Sequence, residues 1–376
     1  MCLTAKNKSA CIREMKKKEN EWNNIKNGLH IDSTDTVVSL CYRHLEYQVS
    51  NNDLKGKSID RRECTIENQI SGYDLGYLQA QQVTPIDIET HVKLLISENK
   101  VGASSIGKVV DVLNAAYEWA IRQGDMQQNP VRLVKTELSK KLKKLSVKGA
   151  DEADVVALSD EEIKLFEQEA TELHANGHEK YPAGMYCLLL LHTGMRVGEM
   201  IALRWRDWKG DYLVIEKSVS TAKNRNKKSE DENNYISLEG NTKNQKARNI
   251  QLNREAKYIL WKLKHSRESC EQDDLIVPTK TGKMNTASNL EHCMKVIMKN
   301  AGLEDVKGGL HIFRKTFATK MYENGARVEE IAAYIGDLPS TTQKYYIAIR
   351  RKVVADGETH QIVKLPGSKA GDEPVA

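Results

Sequence analysis

A histidine and an arginine stand three residues apart in the last quarter of the chain, at His311 and Arg314. Residues at this spacing share one face of a helix, so both side chains can be aimed at one ligand. The arginine offers a planar fork of donors and the histidine a titratable donor, and together they suit a phosphodiester. Two tyrosines, Tyr345 and Tyr346, follow a little over one helix–turn–helix further on. A tyrosine hydroxyl placed there could attack the phosphorus atom and form a covalent link.

A second arginine, Arg196, lies upstream in the segment TGMRVGE, after a glycine-containing turn that follows an apolar helix. An arginine binds phosphate best when it is held rigidly, and Glu199 or Asp207 could orient this one. Taken alone, Arg196 would fit a surface arginine paired with Glu199. Its combination with the His-x-x-Arg pair favours phosphate binding instead.

In this order the motifs Arg, Lys, His-x-x-Arg and Tyr resemble those of the integrase-type tyrosine recombinases, the phage integrase family. The resemblance covers roughly the last two-thirds of the chain; short motifs often match by chance, but several in the right order rarely do. It implies that Arg196 and Arg314 clamp the non-bridging phosphate oxygens and stabilise the charge that develops on them. His311 would donate to an oxygen or accept the tyrosine proton.

The family also places a lysine on a β-hairpin upstream of the His-x-x-Arg motif. Its spacing from the end of the following strand falls on Lys243. The flexible ammonium group would donate a proton to the 5′-oxygen leaving group. Lys246 and Lys223 are alternatives for this role, and Lys243 would then be a solvated hairpin lysine.

One position departs from the family pattern, because Asp337 stands where the family has histidine or tryptophan before the nucleophile helix. A carboxylate near a phosphate repels it unless it is protonated, turned away or paired with a cation. Asp337 could orient Lys315 or an arginine, or contact the tyrosine hydroxyl. The family spacing from this position selects Tyr346 as the nucleophile, whereas an alignment on residues 340–343 selects Tyr345.

The resemblance implies a site-specific recombinase of a phage or integrative element that works by transesterification. The tyrosine attacks a DNA phosphate, forms a 3′-phosphotyrosine and releases a 5′-hydroxyl, and a 5′-hydroxyl of the partner duplex reseals the break. The covalent link conserves the bond energy, so no cofactor is expected. The chain has no Walker-type loop, no His-Glu-x-x-His and no carboxylate cluster for paired metals, so no metal is expected either.

The expected partners are double-stranded DNA at a specific recombination site and three further copies of the chain in a homotetramer. Accessory proteins for directionality or DNA bending are compatible with this. Two alternatives stay open. One is a type IB topoisomerase-like enzyme that relaxes DNA as a monomer, and the other is a DNA-binding relative in which Asp337 has impaired catalysis.

Composition permits nucleic-acid binding without requiring it. The 376 residues include 57 Lys and Arg and 52 Asp and Glu, a net charge of +5, so the distribution of charge matters more than its sum. Seven cysteines, with no Cys-x-x-Cys pair, fit a reducing bacterial cytoplasm, where the protein would associate with the nucleoid. The leucine run 188–191 is too short to span a bilayer, and we find no signal peptide.

The apolar pattern predicts a mainly α-helical chain with a small antiparallel β-sheet. The resemblance implies that these elements form a helical core-binding domain and an α+β catalytic domain. The predicted parts are an arm over 1–30, a helical core DNA-binding domain over 31–135, a basic linker over 136–155, a catalytic domain over 156–354 and a tail over 355–376. The linker lacks an apolar face of useful width, and its lysines are expected to contact the DNA backbone or, equally, only solvent: Lys140, Lys141, Lys143 and Lys144. Residues 361–365 are a candidate strand for docking on a neighbouring subunit.

Local signals mark several helices and strands within these domains. Thr84-Pro85 predicts a helix start with proline at the first position, and Ser159 with Glu162 predicts a capping box. Residues 104–122 carry one long apolar face. Strands are expected at 213–216 and 248–252, with a long polar insert over 218–241 between them.

Overall fold

The computed structural model describes residues 35–51, 54, 56–150, 157–225, 234–241 and 247–343. The chain divides into two compact units, Met1–Gly149 and Ala150–Ala376. The division falls inside the predicted linker. The arm over 1–30, the tail over 355–376, Lys243 and both candidate nucleophiles lie outside the described residues.

The regular elements in the described part of the first unit are helices joined by short loops. Its helices are α1 (Val37–Ser50), α2 (Gly56–Gln69), α3 (Asp74–Tyr77), α4 (Pro85–Glu98), α5 (Ala103–Gln123) and α6 (Pro130–Ala150). The predicted start of α4 is confirmed, because Thr84 caps the helix in a reciprocal capping box with Asp87 and proline follows at the first position. The helix α2 was not predicted, since its apolar residues are few.

Helix α5 forms the centre of the first core. The apolar face predicted over 104–122 is buried along its length. The helix ends at Gly124, whose φ of 83° closes it in the left-handed conformation that glycine adopts readily. The buried face packs against α1 and α2, so the core of this unit is a helix-on-helix arrangement.

The predicted linker is largely helical, which corrects the expectation that it lacks an apolar face. Helix α6 runs from Pro130 to Ala150, and both Leu138 and Leu142 are buried in the core of the first unit. Lys140, Lys141, Lys143 and Lys144 are exposed on either side of Leu142. About one buried apolar residue per helical turn holds this helix against the core: Val131, Val134, Leu138 and Leu142.

The second unit combines helices with short strands in its described part. They are α7 (Asp160–Ala170), α8 (Gly184–Thr193), α9 (Val197–Ala202), β1 (Tyr212–Ile215), β2 (Lys217–Lys223), β3 (Tyr235–Asn241), β4 (Arg248–Gln251), α10 (Arg254–His265), α11 (Ala287–Asn300), α12 (His311–Glu323) and α13 (Val328–Ile335). Residues 339–343 are helical as well. Ser159 and Glu162 form the predicted capping box of α7.

Helix α8 lies at the centre of the second core and is buried on almost every side. Helices α7, α10, α11 and α12 all pack against it. A helix that is apolar all round must be surrounded by protein, and the leucine run 188–191 therefore belongs to a core. Among the described residues, no helix is both long and apolar enough to cross a membrane.

The strands form two small antiparallel pairs, so the predicted fold class is confirmed. β1 pairs with β4, with Tyr212 opposite Gln251, and β2 pairs with β3, with Lys217 opposite Asn241. The two ends of the polar insert predicted over 218–241 form the strands β2 and β3, which the sequence did not predict. The sequences of β2 and β3 are polar because most of their side chains are exposed or only partly buried.

Candidate active site

The turn at Gly194 brings the first arginine motif against the second. Gly194 ends α8 with a φ of 61°, and a Cβ at this position would overlap the ring of Phe317 on α12. Only glycine lets the end of α8 approach α12 this closely. Arg196 follows two residues later as the N-cap of α9, and Asp337 links it to Arg314 on α12.

Arg314 is buried, with 4% of its surface exposed. Its Nη1 atom donates to the carbonyl oxygen of Gly194 at 2.9 Å, which ties α12 to the turn before Arg196. Burial lowers the pKa of Arg314, the hydrogen bond to Asp337 opposes this, and the charge of Arg196 lowers the pKa further. A guanidinium stays protonated at neutral pH, so the site holds a fixed positive charge in a partly desolvated place.

Asp337 joins the two arginines. Its Oδ1 atom accepts from Nη2 of Arg196 at 2.6 Å, and its Oδ2 atom accepts from Nη2 of Arg314 at 2.6 Å. Burial acts to raise the pKa of Asp337, but the hydrogen bonds and charges of Arg314 and Arg196 outweigh it and hold the pKa below its usual value. The carboxylate is therefore ionised and paired with two cations. Contact with an arginine was one of the alternatives that the sequence left open for Asp337.

Glu199 holds Arg196 from the opposite side. It is 1% exposed, and it accepts from the backbone nitrogen of Arg196 at 2.8 Å and from Nη1 of the same residue at 2.9 Å. Of the two carboxylates considered for orienting Arg196, Glu199 is thus the one in contact. Asp207 accepts instead from the backbone nitrogen of Arg204 at 2.9 Å and caps a short 3-10 turn.

Arg248 also binds Glu199, and sequence reasoning missed it. Its Nη1 and Nη2 atoms donate to the two carboxylate oxygens at 3.0 Å and 2.7 Å. Arg248 is the first residue of β4. The sequence placed Arg248 at the start of a predicted strand, just after the Lys243 segment, but gave no sign of a role for its side chain.

His311 is the first residue of α12 and keeps an exposed edge. Desolvation of its ring by the surrounding atoms lowers its pKa, and the positive charges of Arg314 and Lys315 lower it further, while the negative charge of Asp337 opposes them. The imidazole is therefore neutral at neutral pH. A neutral imidazole can accept a proton as well as donate a hydrogen bond.

The structure brings together four of the predicted catalytic residues. Asp337 bridges Arg196 and Arg314, and His311 lies close enough for the charges of all three to act on its imidazole. Lys243 falls in the segment between β3 and β4, and Tyr345 and Tyr346 follow directly on the helical residues 339–343. Within the described ranges, no group of three or more His, Cys, Asp and Glu side chains could hold a metal ion.

Comparison with known proteins gives a family match for the unit that carries this cluster. Residues 156–351 match the model of the phage integrase family. Over 340 residues the chain is 23% identical to a tyrosine recombinase XerC-like protein of Caldanaerobacter subterraneus subsp. tengcongensis, covering 85% of this chain and 81% of the relative. It is 25% identical to tyrosine recombinase XerD of Proteus mirabilis, over 74% of this chain and 79% of the relative.

Solved structures share the fold of the chain. The Tn1549 transposon integrase in complex with a circular intermediate DNA superposes with a TM-score of 0.64 at 15% identity, over 85% of this chain and 99% of that one. A lambda integrase dimer bound to a core site superposes with a TM-score of 0.57 at 17% identity, over 83% and 95% of the two chains. A lambda integrase tetramer bound to a Holliday junction gives a TM-score of 0.57, over 89% of each chain.

Proposed function

Because the chain belongs to the phage integrase family and is a tyrosine-type site-specific DNA recombinase, we propose that Arg196 and Arg314 hold the DNA phosphate at which it cuts. One observation carries this assignment. Two guanidinium groups from distant parts of the sequence converge on a single carboxylate, each 2.6 Å from one of its oxygens. The two oxygens of Asp337 stand where two non-bridging phosphate oxygens would be bound.

The two guanidinium groups stabilise the transition state of phosphate transfer more than they stabilise the bound DNA phosphate. Negative charge builds up on the non-bridging oxygens as the phosphorus becomes pentacoordinate, and fixed donors aimed at those oxygens stabilise it preferentially. Arg314 is fixed by Gly194 and Arg196 by Glu199. Neither side chain has to be reorganised during the reaction, which is the condition for this kind of stabilisation.

The chemical steps follow from the groups around the pair. Tyr346, or Tyr345 in the alternative alignment, attacks the phosphorus and forms a 3′-phosphotyrosine. The neutral imidazole of His311 accepts the tyrosine proton or donates to a phosphate oxygen, and Lys243 protonates the 5′-oxygen that leaves. Attack by a 5′-hydroxyl of the partner duplex then reverses the same step. The bond energy stays in the phosphotyrosine, so no nucleotide cofactor enters the reaction.

Asp337 competes with the phosphate for the same two arginines. It is a neutralising counter-ion before DNA binds, and its side chain is 20% exposed, so it has room to turn away. The incoming phosphate must displace it, because a carboxylate and a phosphate cannot share the two donors. Asp337 thereby slows the first step without removing any catalytic group.

The DNA partner and the assembly are proposed by analogy with the integrases of the same fold, which were solved on core-site DNA and as a tetramer on a Holliday junction. The exposed lysines of α6 contact the DNA backbone: Lys140, Lys141, Lys143 and Lys144. The domain plan of arm, core-binding domain, catalytic domain and docking tail belongs to the same proposal. So do a specific recombination site, accessory proteins and association with a bacterial nucleoid.

Trapping of a covalent intermediate tests the proposed chemistry. A duplex bound by the full-length chain is first recovered from a random-sequence pool, and nicks are then placed at successive positions to strand the cleaved end. The resulting substrate is the selected nicked duplex. The full chain should accumulate a protein–DNA adduct on it. DNA binding without an adduct at any nick position would leave a DNA-binding relative, and relaxation of plasmid DNA without site preference would favour a topoisomerase.

Single substitutions identify the residues that act. Tyr346→Phe should abolish the adduct while DNA binding survives, with Tyr345→Phe as its matched control. Adduct formation by Tyr346→Phe together with its absence in Tyr345→Phe would move the nucleophile by one residue. Arg196→Ala and Arg314→Ala should each slow cleavage by about 10²-fold or more, the effect expected for removal of one preorganised donor at a charged transition state. Cleavage near the wild-type rate in either would remove that arginine from the site.

A further inference from the structure

Arg248 lies outside the cluster assigned to the reaction. It contacts Glu199, which orients Arg196, and the end of α13, which precedes Asp337. The guanidinium donates to both oxygens of Glu199, at 3.0 Å and 2.7 Å, and its Nε atom donates to the carbonyl oxygen of Tyr334 at 3.1 Å. The side chain is 13% exposed. A parallel pair of hydrogen bonds to one carboxylate fixes both distance and orientation, which a lysine could not do.

Arg248 contributes most to keeping the pKa of the buried Glu199 low. Burial acts to raise the pKa of Glu199, and the hydrogen bonds and charge of Arg248, followed by those of Arg196, outweigh it and bring the pKa below its usual value. A buried carboxylate that is deprived of one of its two cations is costly and takes up a proton more easily. Protonated Glu199 would accept fewer hydrogen bonds and would hold Arg196 less firmly.

The same guanidinium supports the turn that carries Asp337. Gly336 closes α13 with a φ of 69°, and a Cβ there would come within 2.9 Å of three atoms of the Arg248 guanidinium. Arg196 donates to the carbonyl oxygen of Gly336 at 2.8 Å from the other side. This turn leads directly into the helical residues 339–343 and so toward the two candidate nucleophiles. Arg248 therefore contacts both the group that orients Arg196 and the turn that precedes the helical residues 339–343.

We propose that Arg248 is a positioning residue for the cleavage step: it holds Glu199, and through Glu199 the guanidinium of Arg196, and it fixes the Gly336 turn. Arg248 does not touch the phosphate. Charges alternate along the row of ion pairs from Arg248 through Glu199, Arg196 and Asp337 to Arg314, so each member is neutralised by its neighbours. This inference rests on the proposed function, since it explains how one arginine of the phosphate site is aimed.

The test compares Arg248→Met, which keeps an unbranched apolar stem but removes the fork and the charge, with Arg254→Met at an exposed arginine at the start of α10. Single-turnover cleavage of the selected nicked duplex and affinity for that duplex are measured separately. Arg248→Met should bind within about threefold of the wild type and cleave about 10²-fold more slowly, as expected for an active-site group displaced by about 1 Å. Arg254→Met should match the wild type in both.

The pH profile separates positioning from general damage to the fold. In Arg248→Met the pKa of Glu199 rises, so the cleavage deficit should grow as the pH falls from neutral toward about 5, close to the usual range of a glutamate. The additional change Glu199→Gln should remove this pH-dependent part, because no proton is then taken up. A deficit that is the same at every pH, or an equal weakening of binding and cleavage, would overturn the proposal.

Two further variants keep each outcome decisive. If Arg248→Met does not fold, Arg248→Lys takes its place. Lysine keeps the charge but not the fork, so cleavage must still fall by at least about tenfold for the positioning role to stand. Arg196→Ala tests the proposed phosphate site separately from the role of Arg248. If Arg196→Ala abolishes cleavage while Arg248→Met and Arg248→Lys cleave normally, only the role of Arg248 fails, whereas normal cleavage by Arg196→Ala removes the proposed phosphate site itself.

Discussion

Asp337 and Arg314 are joined by a hydrogen bond of 2.6 Å between Oδ2 and Nη2, and the other oxygen of the same carboxylate is bound by Arg196. The residue at which this chain departs from its family is therefore the one that spans its two arginines. From the sequence, this carboxylate was expected to repel the phosphate. In the structure it is neutralised by the same two arginines that would bind the phosphate. The electrostatic cost appears only when the phosphate arrives and the arginines must exchange one anion for another.

Asp337→Asn should strengthen DNA binding and speed up cleavage. The change keeps the shape of the side chain and removes its charge, so the phosphate no longer competes with an anion. Affinity for the selected nicked duplex should rise about fivefold, the order of one unit charge acting at close range, and the gain should shrink as salt is added. Asp305→Asn, an exposed position with the same change in net charge, is the matched control. Slower cleavage in Asp337→Asn alone would mean that the carboxylate aligns the arginines during the reaction.

Cleavage should depend on the ionisation of His311. If its imidazole accepts the tyrosine proton, the rate declines as the pH falls through its pKa, which lies below the ordinary value of 6.5. Asp337 acts to raise that pKa, so Asp337→Asn should move the acidic limb of the pH–rate profile to lower pH. The comparison is made by single-turnover cleavage across pH, with His311→Gln as the variant that should lack this limb. An unchanged limb in His311→Gln would assign it to another group.

Gly194→Ala should damage both the fold and the site. Two costs combine: a side chain in the left-handed conformation costs about 1–2 kcal/mol, and the overlap of its Cβ with Phe317 adds about 1–3 kcal/mol. Gly325→Ala separates them, because Gly325 also has a positive φ, of 90°, and open space around its Cβ position. Thermal and denaturant unfolding of the two variants should show a larger destabilisation for Gly194→Ala. Equal destabilisation would show that α8 and α12 adjust to the added methyl group.

The exposed lysines of α6 should set the salt dependence of DNA binding. Replacing Lys140, Lys141, Lys143 and Lys144 with glutamine should weaken binding and reduce the slope of log affinity against log salt by about 0.9 for each of these lysines that binds a phosphate. Four exposed lysines of the second unit provide a control of equal charge: Lys280, Lys283, Lys295 and Lys299. An equal change of slope in both quadruple variants would mean that α6 contributes only through net charge.

The sequence by itself was sufficient for the features that depend on neighbours within one helical turn. The capping boxes at Thr84 and Ser159 and the apolar face of α5 follow from rules that act over three or four residues. The family motifs likewise predicted that Arg196, His311 and Arg314 lie together, because their types and order are specific. Local rules failed for α6 and for the β2–β3 pair, whose sequences are too polar to reveal which side chains become buried or paired.

Only the tertiary structure decided which charges meet. Asp337 and Arg196 lie 141 residues apart in the sequence, and Arg248 and Glu199 lie 49 apart. The sequence offered Asp337 several partners and offered Arg248 no role, since an ion pair carries no periodic or capping signal. The choice is made by packing: the glycine turns at Gly194 and Gly336 bring the ends of α8 and α13 close to α12 and β4. Burial then makes each unpaired charge costly, and the alternating row of arginines and carboxylates is the arrangement that leaves none unpaired within it.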